Sequence, residues 1–334
     1  MNIRKDVALK ELNTIHIGGI ADFVVSVANK EDLVKAVHAS KEKNVPFVVI
    51  GDGSNLIAKD EGFRGVIIRN RMSGIEINDT TIKIGAGEEW DSVVEKSVKL
   101  GLSGIEALSH IPGTTGAAPV QNIGAYGQEI ADTLFELEAF DTRNEQFVTL
   151  KNAECGFSYR NSIFKSSEKG RYIIISVTLQ LTRTPLQPPF YASLEKYLTE
   201  NNITFYTPQV IRDAVIAIRS IRLPNPKIYP NAGSFFKNPV IEKWTLDEVR
   251  KEHSDIQTYD MGDGKYKVPA GWLIEQVGMK DYAAHGLKTY KNNSLVIVNE
   301  GSATYEDLKN FRSEIAAAVR DEFRIQLEQE PIEL

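Results

Sequence analysis

Ile111–Gly127 reads IPGTTGAAPVQNIGAYG, a run with four glycines, three alanines, two prolines and no charged residue. A stretch this long with no helical or strand periodicity is uncommon inside a compact domain and is usually functional. Its small residues let the backbone lie flat against a large ligand, offering main-chain amides and the side chains of Thr114, Thr115 and Asn122. The same composition suits a small-residue loop buried against another domain. The length of the run favours the ligand.

On the N-terminal side the pattern alternates. Ala21–Ala28 is strand-like, Glu31–Lys43 puts Leu33, Val34 and Val37 on one helical face, and Pro46–Ile50 and Gly65–Arg69 read as short buried strands. GDGSN, Gly51–Asn55, turns the chain after the strand at 46–50. It suits either a phosphate held by backbone N–H groups or a tight strand-to-loop turn. It is not GxGxxG and no helical pattern follows it directly, so a Rossmann dinucleotide site is not indicated. Strands at Thr81–Ala86, Glu136–Phe140, Phe147–Leu150 and Tyr172–Leu181 and a helix over Asp91–Leu100 complete an α+β region, and Pro185, Pro188 and Pro189 mark a boundary or mobile loop. Thr207 and Pro208 start a helix that must end before Pro224, Thr304 with Asp307 caps a long helix, and Arg324–Glu330 reads as a final strand. The expected division is 1–70, 71–205 and 206–334.

Three further segments offer side chains that could do chemistry. CGFSYRNSIFK, Cys155–Lys165, carries Arg160, which suits a substrate carboxylate but is more often a surface arginine. NAGSFFKNP, Asn231–Pro239, holds Ser234 after a small, flexible pair; turn serines are the commoner case, and no GxSxG elbow points to a hydrolase. In LEQEPIEL at the C-terminus, Glu328 and Glu330 fall on one side of an extended chain. A solvated tail is the usual reading of such a run, but this one continues a strand after an amphipathic helix.

These segments together resemble the UDP-N-acetylenolpyruvoylglucosamine reductase (MurB) family. NTIHIGG, GDGSNLI, IPGTTGAAPVQNIGAYG, YRNSIFK, PNAGSFFKNP, PAGWLIEQ and LEQE occur in order over nearly the whole chain. The resemblance implies a two-domain FAD cradle of the vanillyl-alcohol-oxidase type plus a C-terminal α/β substrate domain. It implies non-covalent FAD against Gly51, Asp52, Gly53, Ser54 and Asn55 and against Pro112, Gly113, Thr114, Thr115, Gly116, Gln121, Asn122, Gly124 and Ala125. It also implies NADPH-dependent reduction of UDP-N-acetylglucosamine enolpyruvate, with Arg160 and Glu330 where charge develops and Ser234 as proton donor. Lys227, Asn238 and Asn293 would bind the substrate. Tyr126 and Tyr191 would close over it, Tyr191 on a lid loop at about 184–195. Phe190 and Ala192 depart from the family's usual pattern beside that tyrosine, and KTYKNNS at 288–294 stands where relatives often carry histidine and glutamine.

Bulk properties agree with a soluble enzyme. The chain has 334 residues, net charge −6, 42% hydrophobic and 25% charged residues, which point to neither nucleic acid nor membrane. Cys155 is the only cysteine, so no intramolecular disulfide forms, and five scattered histidines suggest no metal site. The start lacks a signal-peptide pattern, which points to the cytoplasm; a monomer is expected. Two other readings share these features: an alcohol or hydroxy-acid oxidase on the same cradle, and a non-catalytic nucleotide-sugar binding module.

Overall fold

The strand Tyr172–Gln180 is buried along Ile173–Leu179, and that is why its sequence, YIIISVTLQ, does not alternate. It is the middle strand of a five-stranded antiparallel sheet, ordered Gln146–Lys151, Leu134–Asp141, Tyr172–Gln180, Thr81–Gly85, Ile75–Asn78. One face, through Ile173 and Ile175, packs with Val25, Val27 and Leu33. The other, through Ile174, Val177 and Leu179, packs with Trp90, Val93 and Leu137. A strand with a core on each side need not alternate, and here only Ser176 and Thr178 interrupt the apolar run.

The computed structural model describes residues 2–334. They fall into two units interleaved along the chain: 2–7, 21–52 and 63–221 form the first, and 8–20, 53–62 and 222–334 the second. The first unit contains the sheet above and a smaller one ordered Asn2–Ala8, Ile20–Val27, Phe63–Asn70, Phe47–Ile50, its last three strands parallel. Helix α1 (Lys30–Glu42) supplies the crossover that parallel strands require. The Asn29 side chain caps α1 by accepting the Asp32 N–H at 2.8 Å. Helix α2 (Trp90–Lys99) buries Trp90, whose indole N–H donates to the Leu108 carbonyl at 3.0 Å.

Helices α3 (Ala192–Glu200) and α4 (Pro208–Arg222) close this unit. The sequence assigns α4 to a domain beginning at 206, but it packs in the first unit. Ile211, Ala214, Val215 and Ile218, at helical spacing, are buried with Leu194, Leu198 and Ala107. Thr207 caps α4 as expected, accepting the Val210 N–H at 3.2 Å. The segment read as a loop over 184–195 becomes helical at Ala192, and Tyr191 occupies the N-cap position of α3.

The second unit has a sheet ordered Asn231–Ser234, Asn293–Asn299, Leu287–Tyr290, Ala283–Ala284. It also has helices α5 (Lys243–Glu252), α6 (Ala270–Gln276) and α7 (Tyr305–Phe323). Phe235, Leu273, Ile297, Leu308, Phe311 and Ile315 share its core. The Thr304–Asp307 capping box forms as read from the sequence. The final strand does not run over Arg324–Glu330. Arg324 takes a left-handed conformation at the end of α7. Beyond it, Ile325 and Leu327 are buried while Gln326 and Glu328 are exposed. Only Gln329 makes a bridge, to Phe236, and regular pairing begins at Ile332–Glu333, parallel to Leu56–Ile57. Among the described residues no helix is long and apolar enough to cross a membrane.

Candidate active site

In the first unit the glycine-rich run folds into 3-10 turns at Thr115–Ala117 and Pro119–Gln121 and a tight hairpin pairing Gly124–Ala125 with Gln128–Glu129. Two glycines are dictated by close approach. A Cβ on Gly51 would lie 2.3 Å from the Thr114 hydroxyl oxygen, and one on Gly116 would lie 2.5 Å from the Ala86 Cβ. The strand end at Gly51 is therefore laced against the loop at Thr114.

Several polar groups expected to face a ligand are engaged inside the protein. The Thr115 N–H and hydroxyl both donate to the Glu88 carbonyl, at 2.8 and 3.2 Å, and the Gly116 N–H donates to Ala86. Asn122 is buried; its amide donates to Glu129 (2.6 Å) and to the Ser158 carbonyl (3.2 Å), and its oxygen accepts the Ala131 N–H (3.1 Å). These two side chains shape the loop from behind. Pro112, Gly113, Gly116, Gln121, Gly124 and Ala125 all keep some exposed surface. Asp52 is held by Arg71 at 2.7 Å.

Asn122, Tyr126 and Arg160 all have positive φ, near 50°, a conformation uncommon for residues with side chains and one that clusters at functional sites. The Arg160 guanidinium donates to the Gly124 carbonyl at 2.7 Å and lies over the Tyr159 ring, 5.3 Å from its centre. Tyr126 and Tyr191 meet edge to face with centroids 5.9 Å apart. Arg160, Tyr126 and Tyr191, far apart in sequence, thus collect at the Gly124 hairpin.

A second set, not found from the sequence, holds the entry to the loop. Buried Arg212 forks onto Asp91 (2.7 and 3.0 Å) and donates to the Ser109 hydroxyl (2.9 Å). The second carboxylate duty of Asp91 is to accept the N–H of His110, which has φ 60°. Burial pushes the Asp91 carboxyl up, but the Arg212 and His110 hydrogen bonds outweigh it and hold it below the usual range. Arg219 donates to the His110 carbonyl at 3.3 Å. Burial lowers its pKa, opposed by nearby Tyr126 and Asp91 and reinforced by Arg160. The only signal for this pair in the sequence is the seven-residue spacing of Arg212 and Arg219, which puts them on one face of α4.

In the second unit Gly53 has φ 70°, and a Cβ there would sit 2.0 Å from the Leu12 carbonyl oxygen. The Asn55 carbonyl accepts the Ile332 N–H at 2.9 Å. Ser234, half-buried, ends a bulged strand: Asn231 pairs with Val298 but Ser234 with Val296, and the Asn231 side chain accepts the Gly233 N–H at 2.9 Å. On the far side of this segment the C-terminal chain docks. Glu328 accepts the Lys237 N–H at 2.8 Å, and the Glu330 N–H donates to Phe235 at 2.9 Å. Ser234 and Glu330 are therefore on adjoining extended segments. The Asn238 side-chain oxygen accepts the Ala270 N–H at 2.9 Å at the start of α6, and Asn293 accepts the Leu295 N–H at 3.2 Å. Lys227 is exposed, in a turn organised by Asn225.

Residues 21–151 match the model of an FAD binding domain, and residues 225–333 that of the UDP-N-acetylenolpyruvoylglucosamine reductase C-terminal domain. The reductase of that name from Ralstonia nicotianae is 36% identical over 328 residues, covering 96% of each chain. The one from Amoebophilus asiaticus is 38% identical over 336 residues, covering 99% of this chain and 98% of its own. The chain belongs to the UDP-N-acetylenolpyruvoylglucosamine reductase (MurB) family. A crystal structure of MurB from Thermus caldophilus superposes with a TM-score of 0.71 at 26% identity, covering 100% of this chain and 99% of the other.

The residues present fit the flavin dinucleotide that the MurB fold implies. Glycine is required at Gly51 and Gly116 by close packing, and the adjoining backbone remains accessible. Arg160 and Arg219 add positive charge beside the same loop.

Proposed function

We propose that this chain reduces UDP-N-acetylglucosamine enolpyruvate to UDP-N-acetylmuramate at the expense of NADPH, a step in peptidoglycan precursor synthesis. The observation that carries this reading is the likeness along the full chain to reductases of that name, at 36–38% identity. FAD, when bound, carries the electron pair from NADPH to the substrate's double bond. Residues 1–70 and 71–205 hold the two halves of the cofactor cradle, helix Pro208–Arg222 packs with the second of them, and the substrate domain follows that helix. Gly51–Asn55 and the exposed backbone of Pro112–Ala125 bind the cofactor.

The chemistry asked of the protein is electrostatic and protonic. Electron-pair delivery to the methylene carbon drives negative charge towards the substrate carboxylate. Arg160 stabilises that charge as a fixed cation, and Glu330, in its protonated form, donates a hydrogen bond to it. Ser234 then gives its proton to the adjacent carbon, which bears the ether oxygen. A serine hydroxyl is a weak acid, so its position must do much of the work. Lys227 and Asn238 bind the diphosphate and the uridine end, Asn293 adds a further substrate contact, and Tyr126 or Tyr191 closes over the substrate. The enzyme acts in the cytoplasm as a monomer, and its product serves cell-wall growth, cell shape and division.

The test is a coupled pair of measurements on purified protein. Acid precipitation should release FAD, and NADPH oxidation should depend on the enolpyruvyl sugar and yield the lactyl ether. FMN in the extract, or NADPH oxidation indifferent to the sugar, would contradict the proposal.

A further inference from the structure

The last residues of the chain are held by a charged clamp on either side of Glu330. The Arg312 guanidinium, from the middle of α7, donates to the side-chain oxygen of Gln329, the residue before Glu330. The same nitrogen donates to Glu333 at 2.9 Å, three residues after it. Tyr305, seven residues earlier on the same face of α7, gives its hydroxyl hydrogen bond to the other oxygen of Glu333, and Lys59 lies 3.7 Å from that oxygen. The Gln329 amide turns back to the Pro331 carbonyl at 2.8 Å. The backbone is fixed as well, by the Glu330 N–H on Phe235, the Gln329–Phe236 bridge and the Ile332–Glu333 pairing with Leu56–Ile57.

We propose that Arg312 is a positioning residue: by gripping Gln329 and Glu333 it sets the arch that carries Glu330 beside the Ser234 strand. This rests on the reading of Glu330 as a stabiliser of developing charge. The arch is too short to have a core of its own. Glu328 is paired with Lys237 at 3.0 Å, so the carboxylate left for Arg312 to neutralise and orient is Glu333, on the far side of Glu330. One nitrogen of the guanidinium grips the amide and the carboxylate with its two N–H groups, while the other end of the planar group reaches the Tyr305 hydroxyl at 3.5 Å, a spread of donors that a lysine ammonium cannot imitate. Glu333 is half-buried and stays ionised: burial raises its pKa, and the Tyr305 and Arg312 hydrogen bonds more than reverse the rise.

A clamp that only stabilised the fold would affect every step equally. One that aims Glu330 should act where Glu330 acts, and misplacement by about 1 Å can cost ~10²-fold. The experiment is rapid mixing of flavin-loaded Arg312→Ala, Glu330→Ala and the double variant, following flavin absorbance in each half-reaction. Arg312→Ala should slow reoxidation by the enolpyruvyl sugar ~10–100-fold and leave reduction by NADPH within about 2-fold. The double variant should be no slower than Glu330→Ala, because two residues acting through one group are not additive. Glu333→Gln, which keeps the shape of the side chain, should give the same split in milder form and serves if Arg312→Ala does not fold. Wild-type reoxidation in both clamp variants, equal loss in both half-reactions, or a double variant slowed by the product of the single effects would overturn the proposal. If Glu330→Ala itself reoxidises at the wild-type rate, the role given to Glu330 fails, and the proposal with it.

Discussion

The glycine-rich loop of the first unit and the C-terminal arch of the second are shaped by opposite means. The loop owes its form largely to missing atoms and to hydrogen bonds from its own buried side chains. Gly51 and Gly116 leave room where a Cβ would collide, and Asn122 and Thr115 tie the loop to its own surroundings. The arch owes its form to charge supplied by the helix that precedes it, Arg312 on Gln329 and Glu333. A surface for a large flat cofactor needs backbone exposed over a wide area, which small residues provide. The role proposed for Glu330 needs one point held in place, which a guanidinium can provide.

A charged latch nonetheless stands behind the loop: Arg212→Ala leaves the Asp91 carboxylate partly buried without its cation, costing ~3–5 kcal/mol by the usual penalty for a broken buried pair. Thermal melting with flavin present would show this as a large drop in midpoint. A change below about 1 kcal/mol would mean that the loop stands without the latch.

Gly51→Ala probes the loop itself. Its Cβ would lie 2.3 Å from the Thr114 hydroxyl oxygen and 3.3 Å from the Thr114 Cβ and Cγ2, so the loop must shift, at the ~1–3 kcal/mol typical of overpacking. The expected outcome is weaker flavin retention on gel filtration with a modest fall in the melting point of the flavin-free protein. Unchanged retention would separate this glycine from the cofactor.

That difference in construction also explains what could be read from the sequence. The loop was legible because composition alone marks it: seventeen residues without charge or periodicity. Strands such as Tyr172–Gln180 and the Thr304 cap were legible for the same local reason. The inward turn of Thr115 and Asn122 was not, because their partners are Glu88 and Ser158, set by folding and not by spacing. The sequence shows helix Pro208–Arg222 and its cap but not the unit it joins, since an amphipathic face says that a helix packs and not against what. The final strand reads as Arg324–Glu330, ahead of the pairing at Ile332–Glu333. The alternation over Ile325–Leu327 is real, but its pairing partner, Leu56–Ile57, lies far away in sequence.

Two smaller effects sharpen the contrast. Tyr191→Phe should raise the KM for the enolpyruvyl sugar a few-fold, roughly the ~0.5–1.5 kcal/mol of one lost hydrogen bond, and spare flavin reduction by NADPH. Equal loss in both steps would move Tyr191 into the cofactor site. Asp141 shows the general electrostatics of the first unit away from any site. The Arg171 hydrogen bonds lower its pKa to about 2, against the opposing effect of burial. A carboxylate with a depressed folded pKa stabilises the fold above its ordinary pKa and loses that contribution as pH falls from about 4 towards 2. Asp141→Asn should therefore flatten the acid limb of the stability curve. An unchanged limb would show that Arg171 contributes nothing there.

The central claim is that a side chain of the second unit, Ser234, completes a reaction whose electrons come through a cofactor held chiefly by backbone. Rapid mixing of Ser234→Ala, watching flavin absorbance, tests it directly. Flavin reduction by NADPH should stay near the wild-type rate, while reoxidation by UDP-N-acetylglucosamine enolpyruvate should slow ~10²–10⁴-fold for want of a positioned proton donor. Reoxidation at the wild-type rate would make Ser234 a structural residue at the end of its strand and send the proton's source elsewhere.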